Sequence, residues 1–492
     1  MNKRSYLEYL ALAALLVTFF GYFSVKVWDI DFWWHIAAGR NILESGAIPS
    51  TDPFGVYDAA SVKGQTVLKS QWLGQVLLYS VFRWFNLDGI ILFRAGVLTL
   101  CLAIVYLRCR LAATTSLYSL AITALAGLAI LHHTGERPQF FSFMFMGLIF
   151  LLLDSFMVNS KRWKLYAIPL VMLLWNNAHG GAVLGMVALG LFGTAYVLEN
   201  RSAEGRFLTP QNKLMIIVMI LSAITLVLAP NGLETIKGII YVQTSSIPIL
   251  ERTSEYTSPL EVWQTALYYW VFMAAALLSL PGFLNRKYWK PYGKQGVVVI
   301  AIGAISVTAY RYIPLFALLA APYVAGSLER MLRRFRSPAA VVNLAVLIIA
   351  LALLGYGFKQ GRVFQHGTLE NKFPTGAVAF IKTNQLSGKI FNSMNWGGYL
   401  IWNLPDRVSV FIDGRVLDPE RMIPYTHILW TTPEGQRFFE RENFDLALVP
   451  YGNVFTGERY PLVAYLQNHP DWQAAYQDAA GLLFVRRASG TR

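Results

Sequence analysis

Long apolar runs recur along the first 360 residues of this sequence, and they limit what the chain can fold into. A helix needs roughly 20 consecutive apolar residues to cross the hydrocarbon core of a bilayer. Runs near that length lie at 7–25, 89–107, 112–131, 139–156, 165–175, 182–198, 214–229, 262–280, 296–308, 313–326 and 339–357. We therefore predict a polytopic α-helical membrane protein with about 11 transmembrane helices within residues 1–360.

The charge distribution supports this class. Charged residues make up 14% of the chain, whereas soluble domains average roughly 25%. A formal net charge of +14 could indicate nucleic-acid binding, but that function needs a basic patch. Here the cations are spread over short polar gaps between the apolar runs. The composition predicts the lipid bilayer as a partner, and no nucleic acid.

Every second gap between the apolar runs is strongly basic, as expected for loops on the cytoplasmic side. These gaps contain Lys3/Arg4, Arg108/Arg110, Lys161/Arg162/Lys164, Arg201/Arg206/Lys213, Arg286/Lys287/Lys290/Lys294 and Arg330/Arg333/Arg334/Arg336. We interpret the first apolar run as an uncleaved helix with a cytoplasmic N-terminus. An odd number of crossings then makes the C-terminal domain extracytoplasmic, in a multi-pass protein of the plasma or inner membrane.

Two of the remaining gaps are long, at 26–88 and 230–261, and are predicted to be outer loops. The first contains helix-like segments at 32–43 and 71–85, separated by a turn-rich stretch at 45–53. Glycine, proline, serine and aspartate in such stretches are typical of turns. We expect the two segments to lie along the membrane surface.

From residue 365 to 492 the sequence predicts a small soluble α/β domain. Short apolar runs of strand length lie at 408–412, 445–449 and 481–485, and helical patterns lie at 375–383 and 433–442. Two motifs stand out, Asn395-Trp-Gly-Gly-Tyr399 and Phe411-Ile-Asp-Gly-Arg415. We interpret both as structural, since Asp-Gly favours a turn.

The segment after the first apolar run carries the main catalytic candidates. Asp31, His35 and Gly39 are spaced by four and share one face of a helix. A carboxylate at the edge of the bilayer could act as a general base, which makes Asp31 and Asp29 candidates. Alternatively, the two aspartates only cap a surface helix. His35 and Arg40 are candidate substrate ligands in the same segment.

A second polar cluster, His132-His133-Thr-Gly-Glu136-Arg137-Pro138, lies in another outer gap. Its histidines and glutamate suggest a metal, but glycine and proline interrupt any helix and no matching ligand pair is evident. We therefore predict no metal site here. Arg137 is a candidate for bidentate phosphate binding, with interfacial anchoring as the alternative.

Further candidates lie at other outer helix ends. Asn177 and His179 occupy a Gly-rich junction, where His179 could bind a sugar hydroxyl or phosphate or could only pack. Arg311 is the only cation between two apolar runs, and we choose it as the main donor-phosphate ligand, with snorkelling as the alternative. The second long gap adds charges interpreted as ordinary loop residues that could contact the acceptor: Glu234, Lys237, Arg252 and Glu255.

The loop from Asp29 to Pro49 resembles that of GT-C glycosyltransferases such as aminoarabinose transferases and protein O-mannosyltransferases. Those families have a short first helix and then an outer loop that opens with an acidic residue and an amphipathic helix ending near Gly-x-x-Pro. The resemblance implies a GT-C-like fold, a polyprenyl-phosphate-linked sugar donor, and Asp31 as the base, with Asp29 as the alternative.

The sequence departs from that pattern in two ways. The carboxylates are separated by Ile30 instead of being adjacent, so no cofactor is required by the sequence, although a divalent metal is compatible with it. The Trp-Trp-Asp-Tyr-Gly motif of oligosaccharyltransferases is absent, which disfavours transfer of a glycan to asparagine.

The leading hypothesis is thus transfer of a sugar to an extracytoplasmic glycan, lipid or protein acceptor. The alternatives are a glycan polymerase or ligase, a lipid-linked glycan transporter, and a non-catalytic membrane scaffold. A transporter should show repeats and ionisable residues near the bilayer midplane, whereas the distinctive charges here lie at outer helix ends.

Overall fold

A computed structural model describes residues 3–56, 62–112, 114–201, 205, 207–244, 255–279, 286–332, 338–417, 419–453 and 457–487. The N-terminal part is helical. Its helices are α1 Lys3–Phe23, α2 Phe32–Ser45, α3 Val62–Lys69, α4 Trp72–Leu111, α5 Ser116–Ile130, α6 Gln139–Asn159, α7 Trp163–Ala178, α8 Ala182–Glu199, α9 Pro210–Val227, α10 Glu234–Thr244, α11 Leu267–Ser279, α12 Arg286–Thr308, α13 Ile313–Met331 and α14 Ala339–Lys359.

Within the described residues, seven helical segments are long and apolar enough to cross a membrane. They are Tyr6–Phe23, Trp72–Leu111, Gln139–Asn159, Ala182–Glu199, Pro210–Val227, Tyr310–Met331 and Ala339–Lys359. Three shorter apolar helices are Ser116–Ile130, Leu267–Ser279 and Lys294–Thr308. The multi-pass membrane class is confirmed, with about 7 to 10 apolar helices.

The predicted count of about 11 is higher than this. The run at 165–175 forms α7, a helix of 16 residues that contains Pro169 and is not among the ten apolar segments. The predicted orientation stays a prediction. Several of its basic residues lie outside the described part of the chain: Arg206, Arg333, Arg334 and Arg336.

The first long gap contains α2, α3 and the start of α4. α4 merges the predicted helix at 71–85 with the apolar run at 89–107, and the chain bends between them at Asn86 (φ 52°, ψ −153°). α2 ends at Gly46, whose φ of 68° favours glycine. It is not a surface helix with one free side, because it is packed between α4 and a helix of the C-terminal region.

The C-terminal region is a five-stranded mixed sheet with helices, as predicted in outline. Its strands are β1 Gly388–Asn392, β2 Val408–Val410, β3 Leu446–Pro450, β4 Trp472–Gln477 and β5 Gly481–Arg486, and its helices are α15 Thr375–Thr383, α16 Met394–Asn403, α17 Met422–Leu429, α18 Pro433–Glu442 and α19 Pro461–Asn468. The strand order is β2-β1-β3-β5-β4, with β1 parallel to β2 and β3 and the other pairs antiparallel.

The C-terminal region docks on α2 through aromatic contacts. The Trp33 ring lies edge-on to Tyr399 at 4.9 Å and to Phe373 at 5.5 Å between centroids. Gly398 of α16 allows close approach, because a Cβ there would stand 3.2 Å from the Trp34 backbone nitrogen. The sheet-bearing region therefore lies directly over the loop that carries Asp29 and Asp31.

Candidate active site

Three carboxylates from the two long loops, 26–88 and 230–261, converge on one guanidinium group. Arg137 Nε binds Asp29 Oδ2, and Arg137 Nη1 lies 3.0 Å from Asp31 Oδ2 and in contact with Glu255 Oε1. We call Asp29, Asp31, Arg137, Glu255 and Arg311 the arginine–carboxylate cluster. It joins predicted residues to Glu255, which was interpreted as an ordinary loop charge.

Local backbone geometry positions the two aspartates. Asp29 Oδ1 accepts a hydrogen bond of 2.9 Å from the Asp31 backbone nitrogen, so one oxygen organises the turn while the other binds Arg137. Asp31 occupies the N-cap position of α2 but makes no side-chain capping bond. Its carboxylate is directed to Arg137 instead, so helix capping does not account for this residue.

A fully buried ion pair holds the backbone of the turn that carries Asp29. Arg94 of α4 binds Glu136, and both side chains are buried. Glu136 Oε2 accepts from the Asp29 backbone nitrogen at 3.0 Å, while Arg94 donates to the carbonyl oxygens of Phe23 and Val25 at the end of α1. The pair therefore connects α1, α4 and the segment before α6, and it fixes Asp29 beside Arg137.

Glu255 reaches the cluster because its segment pairs with the turn before α13. The Arg311 backbone nitrogen donates to the Glu255 carbonyl oxygen at 3.2 Å, and Tyr310 donates to Thr257 at 3.0 Å. Arg311 Nη1 donates to Tyr256 Oη at 2.5 Å and lies 3.9 Å from Glu255 Oε2. Glu255 thus stands between the two arginines.

Asp31 and Glu255 of the cluster differ in proton affinity. Burial raises the pKa of Asp31 to about 6; Arg137 opposes this shift, while Asp29 and Glu255 add to it. Burial alone would also raise the pKa of Glu255, but Arg137 and Arg311 outweigh it and lower that pKa. Of these two carboxylates, Asp31 is the one that can gain a proton near neutral pH.

The cluster borders a cavity of about 290 Å³. Asp29, Arg137, Glu255 and Arg311 line it together with apolar and aromatic groups and the histidines of the second predicted cluster. Asp31 does not line this cavity directly. It lies behind Arg137, on the side toward the C-terminal region.

The remaining predicted residues of the first loop are placed differently. His35 is buried, and its ring lies tilted against that of Trp34 with 3.6 Å between centroids. Burial, with the charge of Arg137 in second place, holds the pKa of His35 well below its ordinary range. Arg40 lies over the Trp402 ring at 4.6 Å. Neither lines the cavity, so both contribute to packing of α2.

His179 and Asn177 end α7 near the same site. His179 Nδ1 accepts from the Gly181 backbone nitrogen at 3.0 Å and lies 2.7 Å from Ser142 Oγ. Burial and then Arg311 and Arg137 lower the pKa of His179 to about 3, so the ring is neutral. Asn177 Oδ1 accepts from Trp72 Nε1 at 2.7 Å. It connects α7 to α4 and does not line the cavity.

The other charges of the second long gap do not join Glu255 in the cluster as far as the structure describes them. Glu234 and Lys237 pair with each other on an exposed face at 2.6 Å, and Arg252 lies outside the described residues. His133 stacks on Tyr310 with 4.5 Å between centroids.

In the described part of the chain, no three His, Cys, Asp or Glu side chains are arranged to hold a metal. The Arg137 cation stands where the three carboxylates meet, so these residues do not fit a divalent ion.

Another arginine that binds two carboxylates, Arg415, belongs to the Phe411–Arg415 motif. Arg415 binds Asp413 Oδ2 at 2.6 Å and Asp52 Oδ1 at 2.5 Å, and all three side chains are at most 1% exposed. We call these residues the Arg415 node. It joins the first long loop to the C-terminal region, so the motif is more than the local turn that the sequence predicts.

Comparison of the sequence with protein-family models gives no match, and no curated protein matches it by sequence. Solved structures do match. The apo oligosaccharyltransferase of Archaeoglobus fulgidus has a TM-score of 0.61 and 11% identity, covering 91% of this chain and 70% of its own. AglB of that organism, in complex with an inhibitory peptide and a dolichol-phosphate, has a TM-score of 0.61 and 11% identity, covering 92% and 70%.

A third structure matches over the full length of both chains. ArnT from Cupriavidus metallidurans bound to undecaprenyl phosphate has a TM-score of 0.53 and 13% identity, covering 99% of this chain and 98% of its own. At these identities the likeness is one of fold. The predicted similarity to GT-C glycosyltransferases is confirmed, and the chain has a GT-C-like fold.

Proposed function

We propose that this chain transfers a sugar from a polyprenyl-phosphate-linked donor to a hydroxyl-bearing acceptor on the outer side of the membrane. The observation that carries the proposal is the arginine–carboxylate cluster, which combines a carboxylate of raised pKa with two arginines beside a cavity. The fold supports the proposal, because AglB and ArnT have been solved with dolichol-phosphate and undecaprenyl phosphate respectively.

Asp31 is the general base in this proposal. Asp29 is 1% exposed and its two oxygens already bind the Asp31 backbone nitrogen and Arg137. Asp31 makes one ion pair, through Oδ2, and its side chain keeps 15% exposure. Asp29 is therefore a positioning residue that holds Arg137 and the turn.

The proposed reaction is an inverting displacement. The acceptor oxygen bonds to the anomeric carbon while the bond from that carbon to the phosphate oxygen breaks. Asp31 takes the hydroxyl proton, and the leaving phosphate keeps the electron pair. Arg311 and Arg137 bind the phosphate oxygens and stabilise their increasing charge.

Charge balance favours this proton transfer. The cluster has three carboxylates against two guanidinium groups. When Asp31 accepts a proton, the charges become equal and a buried excess of negative charge disappears. This relief favours protonation of Asp31 in the transition state, as required of a base.

Complementation of cells that lack the protein tests the proposal. The cells receive the wild type, Asp31→Asn, or Asp88→Asn, which changes an exposed aspartate that pairs with His366. Mass spectrometry then measures lipid-linked sugars and envelope glycans. We expect the wild type and Asp88→Asn to restore the sugar-modified product and Asp31→Asn to fail at equal protein level. Normal glycans in the cells without the protein, or restoration by Asp31→Asn, would contradict the proposal.

A further inference from the structure

The turn formed by Asp413, Gly414 and Arg415 lies against the proposed base. A Cβ at Gly414 would stand 2.2 Å from Asp31 Oδ1 and 3.8 Å from Trp34 Nε1. Real Cβ atoms do not approach a neighbour so closely, so a side chain at this position would displace the Asp31 carboxylate. Since Oδ2 of Asp31 is directed to Arg137, the other oxygen faces the C-terminal region.

Trp34 adds a hydrogen-bond donor at the same point. Its side chain is 5% exposed, and within the described residues Nε1 makes no hydrogen bond of normal length. It is nevertheless close enough to Asp31 to stabilise the carboxylate. Because this interaction is weaker than a full hydrogen bond, and an unsatisfied buried donor costs about 1–3 kcal/mol, the N–H can still donate to a group that binds beside the base.

The Arg415 node holds this wall in place. Arg415 donates from Nε and Nη2 to both oxygens of Asp413 at 2.9 and 2.6 Å, and from Nη1 and Nη2 to both oxygens of Asp52 at 2.5 and 3.2 Å. Bidentate arginine–carboxylate pairs fix orientation as well as distance. The turn that carries Gly414 is therefore tied to the loop that carries Asp31.

We propose that Trp34 Nε1, Asp31 Oδ1 and the Gly414 backbone form the subsite for the acceptor, and that the acceptor group is a hydroxyl. A hydroxyl oxygen can accept from the indole N–H while its proton is donated to Asp31. A carboxamide divides these two roles between its oxygen and its nitrogen, whereas a hydroxyl performs both with one atom. The inference rests on the proposed function and assigns the C-terminal region a part in catalysis, with Arg415 as a positioning residue.

Two variants in the full-length chain test the subsite. Gly414→Ala places a methyl group on Asp31 Oδ1, and Trp34→Phe removes the N–H while it keeps an aromatic ring. The matched control is Gly190→Ala, where a Cβ would meet nothing within 4 Å. Product formation in complemented cells and binding of undecaprenyl phosphate to the purified protein are measured for each.

We expect both site variants to lower product formation at least tenfold while their affinity for undecaprenyl phosphate stays within twofold of wild type. The control should match wild type in both measurements. Trp34→Phe should also shift the acid limb of the pH profile to higher pH, because the indole N–H stabilises the Asp31 carboxylate. A purely structural role of Trp34 would not move that limb.

The outcomes separate the subsite from the proposed function. Normal product formation by both variants, with Asp31→Asn inactive, would overturn the subsite alone. Normal product formation by Asp31→Asn would overturn the proposed function and the subsite with it. If Gly414→Ala fails to fold, Trp34→Phe decides, and an unchanged rate and pH profile there would overturn the subsite.

Discussion

Two arginines in this molecule each bind more than one carboxylate, yet their settings differ. Arg415 is enclosed by Asp52 and Asp413, and all three side chains are at most 1% exposed. Arg137 is 21% exposed, borders a cavity and contacts three carboxylates. The first arrangement is saturated and joins two regions. The second keeps one carboxylate with a raised pKa, which is what acid–base chemistry needs.

The largest effect should come from Asp31→Asn. If the arginine–carboxylate cluster works through a general base, removing the base should lower the transfer rate by roughly 10²- to 10⁴-fold. The rate is measured as product formed per amount of protein in membranes. Asp88→Asn is the control. Equal rates for the two variants would mean that the arginine–carboxylate cluster has a structural role, like the Arg415 node.

The next effect is on the Arg415 node itself. Arg415→Met removes the cation that Asp52 and Asp413 share, and removing one partner of a buried ion pair costs about 3–5 kcal/mol. Hydrogen exchange in peptides covering 50–56 and 413–417 should then show local opening increased by roughly 150- to 5,000-fold. Arg437→Met breaks an exposed pair with Glu434 at 3.2 Å and should change exchange by about twofold or less. Equal exchange in both variants would contradict a joining role.

Arg311→Gln tests phosphate binding by the arginine–carboxylate cluster. A hydrogen bond to a charged group is worth about 1.5–3 kcal/mol, so affinity for undecaprenyl phosphate should fall roughly 10- to 150-fold. Arg83→Gln changes an exposed arginine of α4 and is the control. Binding that is insensitive to Arg311 would move the phosphate site away from the cavity.

The smallest effect is a pH dependence. Burial raises the pKa of Asp31 to about 6, and only the deprotonated form is a base. The transfer rate should therefore be half its plateau at about pH 6 and fall about tenfold per pH unit below that. His179, whose pKa is lowered to about 3, adds no limb in this range. A rate that stays flat down to pH 4.5 would contradict the assignment of Asp31.

Much of the fold follows from local sequence. The helix predicted at 433–442 matches α18, which begins with Pro433 after the capping residue Thr432. The apolar runs at 408–412, 445–449 and 481–485 also correctly predicted strands β2, β3 and β5. β1 and β4 were missed, because β4 has only Trp472 buried and lacks a clear alternation. Strand order depends on contacts between distant segments, so local pattern cannot give it.

The site was predictable only where it is local. Asp29, Asp31, Arg137 and Arg311 stood out as polar residues at helix ends, and the structure brings them together. Glu255 carried no such signal, since its position depends on backbone pairing with the turn before α13. Arg94 did carry one that was overlooked, because an arginine inside an apolar run needs a buried partner. Its partner is Glu136.

The support that Arg94 gives to the Asp29 turn also has a consequence for biosynthesis. Asp31, Arg94, Glu136 and Arg137 all lie within the first 137 residues, whereas Arg311 and Gly414 are translated much later. Chains fold from the N-terminus as they are made. A nascent chain thus holds the Asp31–Arg137 pair before Arg311 and the C-terminal region are made, so the proposed site can be completed only when that last region emerges and docks.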